Sequence, residues 1–144
     1  MTADTPAPPS QTARAEPESF RARSLGVSLT VKDLNSSVAW YRDVVGFTVD
    51  RNMEREGKLV AVALKAGDVH ILLNHDNGAK GWERTKGEGL SLMYTTTQRV
   101  DDVADRIKAS GGSLLSEPAD MPWGARVFTV LDPDGFKLAF SSEG

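Results

Sequence analysis

Apolar residues in the first half of the chain recur first at every second position and then at helical spacing. Residues 26–31 (Gly-Val-Ser-Leu-Thr-Val) alternate, which is typical of a half-buried strand. A helical stripe follows, with Asp33 or Asn35 as its N-cap and Gly46 as its end. The members of the stripe are Leu34, Val38, Tyr41, Val44 and Val45. Three further strands are predicted at 47–52, 59–65 and 69–74. A hairpin turn at 66–68 joins the last two.

The same order of elements returns in the second half of the chain. Residues 89–94 (Gly-Leu-Ser-Leu-Met-Tyr) are similar to 26–31. A second helical stripe, which Gly111-Gly112 would end, consists of Val100, Val103, Ala104 and Ile107. Three short strands follow, at about 113–116, 125–131 and 136–141. Asp132-Pro133-Asp134-Gly135 makes the turn into the last of them. The order is therefore βαβββ twice, and such a repeat outweighs the prediction of any single element.

This pattern predicts an α+β fold in which two βαβββ modules form one domain, residues 23–144. The first module covers about 24–75 and the second about 88–142, with a charged, Gly-containing linker of about 76–87 between them. Residues 1–22 hold four of the seven prolines and few apolar residues, so we predict a flexible tail. An arm that orders on a partner subunit is the alternative for this tail.

Alternation along the strands assigns one side of each sheet to the helix and leaves the other side, here called its outer face. The helix-facing positions are apolar, for example Val69, Ile71 and Leu73 in the first module and Leu90, Leu138 and Phe140 in the second. The outer faces carry small and mixed residues: Ser28, Thr30, His70, Leu72 and Asn74 in the first module, and Ser91, Met93, Lys137 and Ala139 in the second. Such a face is either solvated or the wall of a cavity, so two of them could enclose a cup for a ligand.

Composition excludes several kinds of site. The 144 residues include no cysteine, which rules out a disulfide framework, a zinc–thiolate site and a cysteine nucleophile, and fits a reducing cytoplasm. With 17 Lys and Arg against 20 Asp and Glu, the net charge of −3 disfavours nucleic acid or an anionic membrane as a partner. The sequence contains no apolar run of about 18 residues, so no membrane span is predicted.

Two motifs resemble the vicinal oxygen chelate superfamily, which includes glyoxalase I, bleomycin-resistance proteins and extradiol dioxygenases. The first motif is 31–34 (Val-Lys-Asp-Leu) with 40–47 (Trp-Tyr-Arg-Asp-Val-Val-Gly-Phe) behind it, and the second is 132–138 (Asp-Pro-Asp-Gly-Phe-Lys-Leu). The resemblance covers about residues 24–142. It implies paired βαβββ modules that form a U-shaped mixed sheet around a ligand cleft, and it implies a homodimer.

Enzymes of that family hold a divalent metal with His, Gln or Glu side chains from the first and last strands of each module. Carried over by motif position, the first-strand ligand falls on Gly26 and the last-strand ligand on Ala139. The internal repeat gives Gly89 and Leu72 as their equivalents, and a longer connection to the second helix would move Gly89 to Ser91. None of these side chains is a usual ligand for a divalent metal, so we expect no metal and no cofactor.

The two histidines could still contribute chemistry. His70 on the outer face is a candidate hydrogen-bonding group for a ligand or a catalytic general base, with a partly exposed strand residue as the alternative. His75 and Asp76 are predicted to lie in a solvated turn. Because five residues separate the histidines, a continuing strand would put them on opposite faces. A metal held by His70, His75 and Asp76 would need the chain to turn after Asn74.

The aromatic residues and one arginine complete the candidate site. Trp82 in the polar linker is expected in a lid, a dimer contact or the core, and Trp123 is expected to stack on a ligand. Arg126 would pair with an acidic ligand group or with Asp132 or Glu117. The predicted ligand-binding residues are Ser28, Thr30, His70, Leu72, Asn74, Trp82, Ser91, Met93, Trp123, Arg126 and Ala139.

These observations predict a metal-free, cytoplasmic protein that holds a small organic molecule in the cup between its modules, in the manner of a sequestering bleomycin-resistance protein. The alternative is a lyase, isomerase or dioxygenase, either metal-free with His70 as base or metal-dependent with non-standard ligands. A third possibility is an interaction module whose cup is filled by its own side chains, with Leu72 and Met93 as core residues. The modules could pair within one chain or between the two chains of a homodimer.

Overall fold

A computed structural model describes residues 19–143. The predicted tail falls on residues 1–22, of which 1–18 lie outside the described residues. Residues 19–22 are exposed and belong to no helix or strand. None of the helices within 19–143 is long and apolar enough to cross a membrane.

The elements follow the predicted order. The first module contains β1 (Val27–Val31), α1 (Leu34–Ala39) with a π-helical continuation (Trp40–Val45), β2 (Thr48–Arg55), β3 (Lys58–Ala66) and β4 (Val69–His75). The second contains β5 (Ser91–Thr96), α2 (Val100–Ala109), β6 (Leu114–Asp120), β7 (Arg126–Leu131) and β8 (Lys137–Ser142).

Each module forms one four-stranded mixed sheet. The strand orders are β1-β4-β3-β2 and β5-β8-β7-β6. In both sheets the first and last strands of the module pair in parallel, and the other neighbours pair antiparallel. The two sheets therefore repeat one topology, which confirms the predicted α+β fold of two βαβββ modules.

The first helix begins and ends at the predicted residues but changes type on the way. The Asp33 side chain accepts the Ser36 amide at 3.0 Å and caps the helix. Near its end the Gly46 amide donates to the Tyr41 carbonyl, five residues back, at 2.9 Å, which is the π-helical pattern. Gly46 adopts a φ of 110°, a conformation that favours glycine.

The helix-facing sides of both sheets share one hydrophobic core with the two helices. Aromatic rings in contact cross from one module to the other: ring centroids are 5.4 Å apart for Tyr41 and Phe47, and 5.9 Å for Phe47 and Tyr94. Two positions predicted to face a helix, Val69 and Leu90, are exposed instead. Val69 is the first residue of β4, and Leu90 lies in the turn before β5. Since the helix-facing sides share this core, the two outer faces are turned away from it.

A buried hydrogen bond joins the first helix to the β7–β8 turn. The Tyr41 hydroxyl donates to Asp132 Oδ2 at 2.8 Å, while the other carboxylate oxygen accepts the amides of Asp134 and Phe136. Burial raises the pKa of Asp132 above its ordinary value, although these hydrogen bonds oppose the shift. Burial also raises the pKa of Tyr41, so its hydroxyl keeps its proton. The turn that ends in Gly135 is thereby tied to the other module.

The linker adds a second tie between the modules. Lys86 Nζ lies 2.7 Å from Asp76 Oδ2 and 3.4 Å from Asp134 Oδ2, and it donates to the Thr30 carbonyl at 2.9 Å. The hydrogen bond from Lys86 holds the pKa of Asp76 well below its usual range. Asp76 is only 4% exposed, so the predicted solvated turn is wrong at this residue. Its carboxylate is neutralised by a residue ten positions away, which a turn motif cannot indicate.

Candidate functional site

The outer face of the first sheet brings five predicted residues together. β1 supplies Ser28 and Thr30, and the register sets them beside Leu72 and Asn74 of β4. The Asn74 amide donates to the Ser28 hydroxyl, so these two polar groups are fixed relative to each other. His70 lies at the exposed end of the same face. This outer face offers hydroxyl, amide and imidazole groups beside a half-buried leucine.

Alanines extend this face across the next strand and keep it shallow. Ala61 and Ala63 of β3 pair with Asn74 and Leu72, respectively. Sequence reasoning left these two residues out, although the alternation of β3 already assigns Val62 and Leu64 to the core. Ala61 is buried and Ala63 is half-buried, so these two strand positions add no large side chain to the first outer face.

The outer face of the second sheet is more apolar. Ser91 and Met93 of β5 lie beside Lys137 and Ala139 of β8. Met93 is 69% exposed, an unusual environment for a thioether side chain in a strand. Ala139 is buried with three neighbours that form a small separate cluster: Met121, Ala125 and Val127. A large part of the second outer face is therefore apolar and favours contacts with apolar groups.

One hydroxyl pair on the second outer face was missed by sequence reasoning. Thr129 of β7 pairs with Ala139, and its hydroxyl lies 2.7 Å from the hydroxyl of Ser116 on β6. Alternation along β7, with Phe128 and Val130 in the core, was the signal that could have found Thr129. These hydroxyls give the second face one polar contact point.

The four positions predicted to correspond to the family's metal ligands do not fit a divalent cation. Gly26 precedes β1, and Gly89 lies in the turn before β5 with a φ of 75°. Leu72 and Ala139 carry no oxygen, nitrogen or sulfur in their side chains, and the alternative position Ser91 carries only a hydroxyl. Within residues 19–143, no three His, Cys, Asp or Glu side chains lie close enough together to hold a metal.

The sheet registers correct one predicted correspondence. The core pairs Leu29–Leu73 and Leu92–Leu138 are equivalent in the two modules. One residue further along each last strand, Ala139 is the equivalent of Asn74, not of Leu72. Asn74 carries an amide oxygen, so the corrected positions offer one possible donor, whereas a catalytic metal site needs about three protein ligands. The repeat in sequence is clear for the first strands, but the segments before the last strands differ in length, so the motif position alone gave the wrong partner.

The histidines do not form a common site. His70 is exposed on the outer face and pairs with Lys65 across the β3–β4 ladder. His75 closes β4 beside Val31, and Asp76 is engaged by Lys86. The structure therefore does not bring His70, His75 and Asp76 together as metal ligands.

The two candidate tryptophans lie in different places. Trp123 is 69% exposed in the turn between β6 and β7, where the Gly124 amide donates to the Met121 carbonyl, so it lies beside the second outer face. Trp82 is 49% exposed and lies near Lys32 and Leu34 at the start of α1. None of the predicted outer-face residues lines the groove that Trp82 lines.

Arg126 is engaged in ion pairs rather than free for a ligand. Its guanidinium lies 3.0 Å from Asp101 of α2 and 3.1 Å from Asp120 of β6. The hydrogen bond to Asp101, followed by that to Asp120, raises the pKa of Arg126. The predicted partners were wrong: Asp132 binds Tyr41, and Glu117 pairs with Lys108. Arg126 fastens the second sheet to its helix.

Comparison with known proteins gives consistent results. Residues 24–140 match the Glyoxalase/Bleomycin resistance protein/Dioxygenase superfamily. The lactoylglutathione lyase of Haemophilus influenzae is 30% identical over 125 residues, which cover 81% of this chain and 89% of that protein. A probable lactoylglutathione lyase of Vibrio cholerae serotype O1 is 31% identical over 122 residues, covering 81% and 87%.

Solved structures show the same fold. TioX from Micromonospora sp. ML1 superimposes with a TM-score of 0.69 at 21% sequence identity, over 84% of this chain and 98% of that one. A glyoxalase/bleomycin resistance protein/dioxygenase from Nocardioides gives a TM-score of 0.68 at 21% identity, over 88% and 86%.

Proposed function

This chain belongs to the Glyoxalase/Bleomycin resistance protein/Dioxygenase superfamily, and we propose that it binds a small organic molecule without a metal. The observation that carries the proposal is the pair of outer faces, which stay open while the family's metal positions offer only the single amide oxygen of Asn74. We also propose a cytoplasmic location, which rests on the absence of cysteine.

The cup in this proposal is completed by a second copy of the chain. Both outer faces are turned away from the shared core, so in one chain they do not oppose each other. In a homodimer, the first outer face of one copy lies opposite the second outer face of its partner. One wall then offers the Ser28–Asn74 pair and His70, and the other offers Met93.

This pairing of walls favours a ligand that is partly aromatic and largely uncharged. The Ser28 hydroxyl and the Asn74 amide can bind a carbonyl or hydroxyl group of the ligand. Met93 adapts to irregular apolar surfaces and makes favourable contacts with aromatic rings. Trp123 beside the second wall adds a stacking surface at its edge.

The dimer is tested by sedimentation velocity over a range of protein concentrations. We expect the wild-type chain to sediment as a dimer and Met93→Glu to sediment as a folded monomer, because the substitution places a charge inside the proposed interface. Val49→Glu is the matched control. Val49 is exposed, and it pairs with the core residue Leu64, so it lies on the helix-facing side of the first sheet and not on the outer face. A dimeric Met93→Glu would contradict this arrangement.

Binding is tested by screening organic compounds for quenching of tryptophan fluorescence. Asn74→Ala should weaken the best compound about tenfold with little loss of stability, because it removes one hydrogen-bonding group from the wall. Asn52→Ala, on the opposite side of the first sheet beside Val62, should leave binding unchanged. Metal analysis of untagged protein should find no stoichiometric Ni, Zn, Mn or Fe, and a stoichiometric metal would overturn the metal-free proposal.

A second candidate function is a lyase, isomerase or dioxygenase reaction on the same outer faces. The relatives named lactoylglutathione lyase favour a lyase. Lactoylglutathione formation that survives EDTA and is lost in His70→Ala would support a metal-free enzyme with His70 as base. Activity that follows added Ni, Zn, Mn or Fe would support a metal enzyme with non-standard ligands.

A cup filled by the protein's own side chains would fit an interaction module. In the single chain Met93 is 69% exposed and Leu72 is only half-buried, so neither is a core residue. This observation weighs against the third alternative.

A further inference from the structure

A groove on the first module lies apart from both outer faces. It has a volume of about 950 Å³ and lies between the start of α1, the start of β3, the end of β4 and the linker. Its apolar lining residues are Leu34, Leu59 and Trp82, and its basic ones are Lys32, Lys58 and His75. Pockets for small molecules fall in the range of about 300–1,000 Å³ and combine apolar walls with a few charged groups.

The ring of Trp82 is held in place at this groove. A Cβ added to Gly78 would lie 2.4 Å from a ring carbon of Trp82, and Gly78 has a φ of 77°. The Gly81 amide donates to the Gly78 carbonyl at 2.9 Å, and Asp76 accepts the Gly78 amide at 2.8 Å. The linker therefore closes tightly around one part of the indole, and the remaining half-exposed surface is fixed before any ligand binds.

The charges in the groove are unequally engaged. Among the described residues, the ammonium groups of Lys32 and Lys58 have no ion pair or hydrogen bond. Of the two acids that line the groove, Asp33 already accepts the Ser36 amide as helix cap. Glu83 is the remaining acid. Two free cations beside a fixed indole favour a ligand that combines a ring with a negative group.

We infer that this groove is a second small-molecule site, which binds an aromatic carboxylate. The aromatic ring of the ligand stacks on Trp82 and contacts Leu34, and its carboxylate pairs with Lys32 and Lys58. The site is independent of the proposed cup, because the groove residues lie on none of the outer-face positions.

The test is a titration of the full-length protein with 2-naphthoate, followed through its ¹⁵N-labelled amides. We expect saturable shifts at Gly78, Gly81 and the Trp82 indole, with a dissociation constant of about 1 mM or tighter. Trp82→Ala should weaken binding about tenfold. Phe20→Ala, which removes an exposed aromatic ring that does not line the groove, is the control and should leave the affinity unchanged.

Charge variants sharpen the assignment because they act in opposite directions. Lys58→Gln should weaken 2-naphthoate about threefold, whereas Glu83→Gln should strengthen it about twofold. The uncharged analogue 2-naphthamide should respond to Trp82→Ala but to neither charge variant. A charge variant that alters both ligands equally would remove the ammonium–carboxylate contact from the proposal.

Three results would overturn the site: no saturable shift at Gly78 and Gly81, equal affinity in Trp82→Ala, or shifts confined to the outer faces around Met93. Failure of the cup proposal is distinguishable from failure of this site. A monomeric Met93→Glu chain should still bind 2-naphthoate in the groove, because no groove residue belongs to the proposed dimer contact.

Discussion

Asp132 and Asp68 lie in equivalent turns of the two modules, between the third and fourth strands, but only Asp132 is buried. Asp132 accepts hydrogen bonds from Tyr41 and from two backbone amides, whereas Asp68 is exposed in a short hairpin. The second helix buries Ile107 and has no counterpart of the Tyr41 hydroxyl. Repetition of a topology therefore does not repeat the contacts, because the polar tie between the modules needs only one donor and one acceptor.

The largest effect is expected from removing that tie. Asp132→Ala should lower the free energy of unfolding by about 3 kcal/mol, because it leaves the buried Tyr41 hydroxyl and the Phe136 amide without their acceptor. Asp68→Ala is the matched control in the other module and should change it by less than about 0.5 kcal/mol. Urea unfolding measures both values, and similar values for the two would contradict the asymmetry.

The glycines that follow the two helices provide the next comparison. Gly46 and Gly111 both have positive φ, at 110° and 94°. A Cβ at Gly46 would lie 2.4 Å from the Arg106 guanidinium, which donates to the Val45 carbonyl, whereas a Cβ at Gly111 meets open space. Gly46→Ala should cost about 2 kcal/mol and Gly111→Ala about 1 kcal/mol in thermal unfolding. An equal cost would mean that Arg106 moves without penalty.

The helix starts differ in the same way. Asp33 caps α1 through its side chain, whereas Arg99 at the start of α2 makes no such hydrogen bond. Asp33→Ala should destabilise the protein by about 1 kcal/mol, and Arg99→Ala should have almost no effect on the urea midpoint. A loss in Arg99→Ala as large as that in Asp33→Ala would show that charge near the helix start, rather than the cap, sets the stability.

The smallest effects concern pH, where two buried carboxylates should act with opposite sign. Asp76 has a lowered pKa, so its contribution to stability is present above about pH 3.8 and is lost as the pH falls through its folded-state pKa. Asp132 has a raised pKa, so stability falls as the pH rises from about 3.8 through its folded-state pKa. Asp76→Asn should therefore flatten the acid loss of thermal stability, and Asp132→Asn should steepen it. Parallel melting curves between pH 6 and 3 would contradict these signs.

The elements themselves were predictable because their signals are local. Alternating and helical spacing gave the strands and helices in order, and Asp33 and Gly46 marked the ends of the first helix. The outer-face positions of β1 and β4 follow from the same alternation. The π-helical turn was not predictable, since a shift of one hydrogen bond leaves the apolar stripe unchanged.

By itself, the sequence determined two βαβββ modules, their apolar helix-facing sides and the residues Gly26, Gly89 and Ala139, which are not usual metal ligands. Only the tertiary structure decided which distant groups meet. Tyr41 and Asp132 are 91 residues apart, Arg126 pairs with Asp101 rather than the predicted acids, and Trp82 lies in its own groove. Backbone periodicity is a property of neighbouring residues, whereas ion pairs and cavities depend on how the modules pack, and no short pattern encodes that packing.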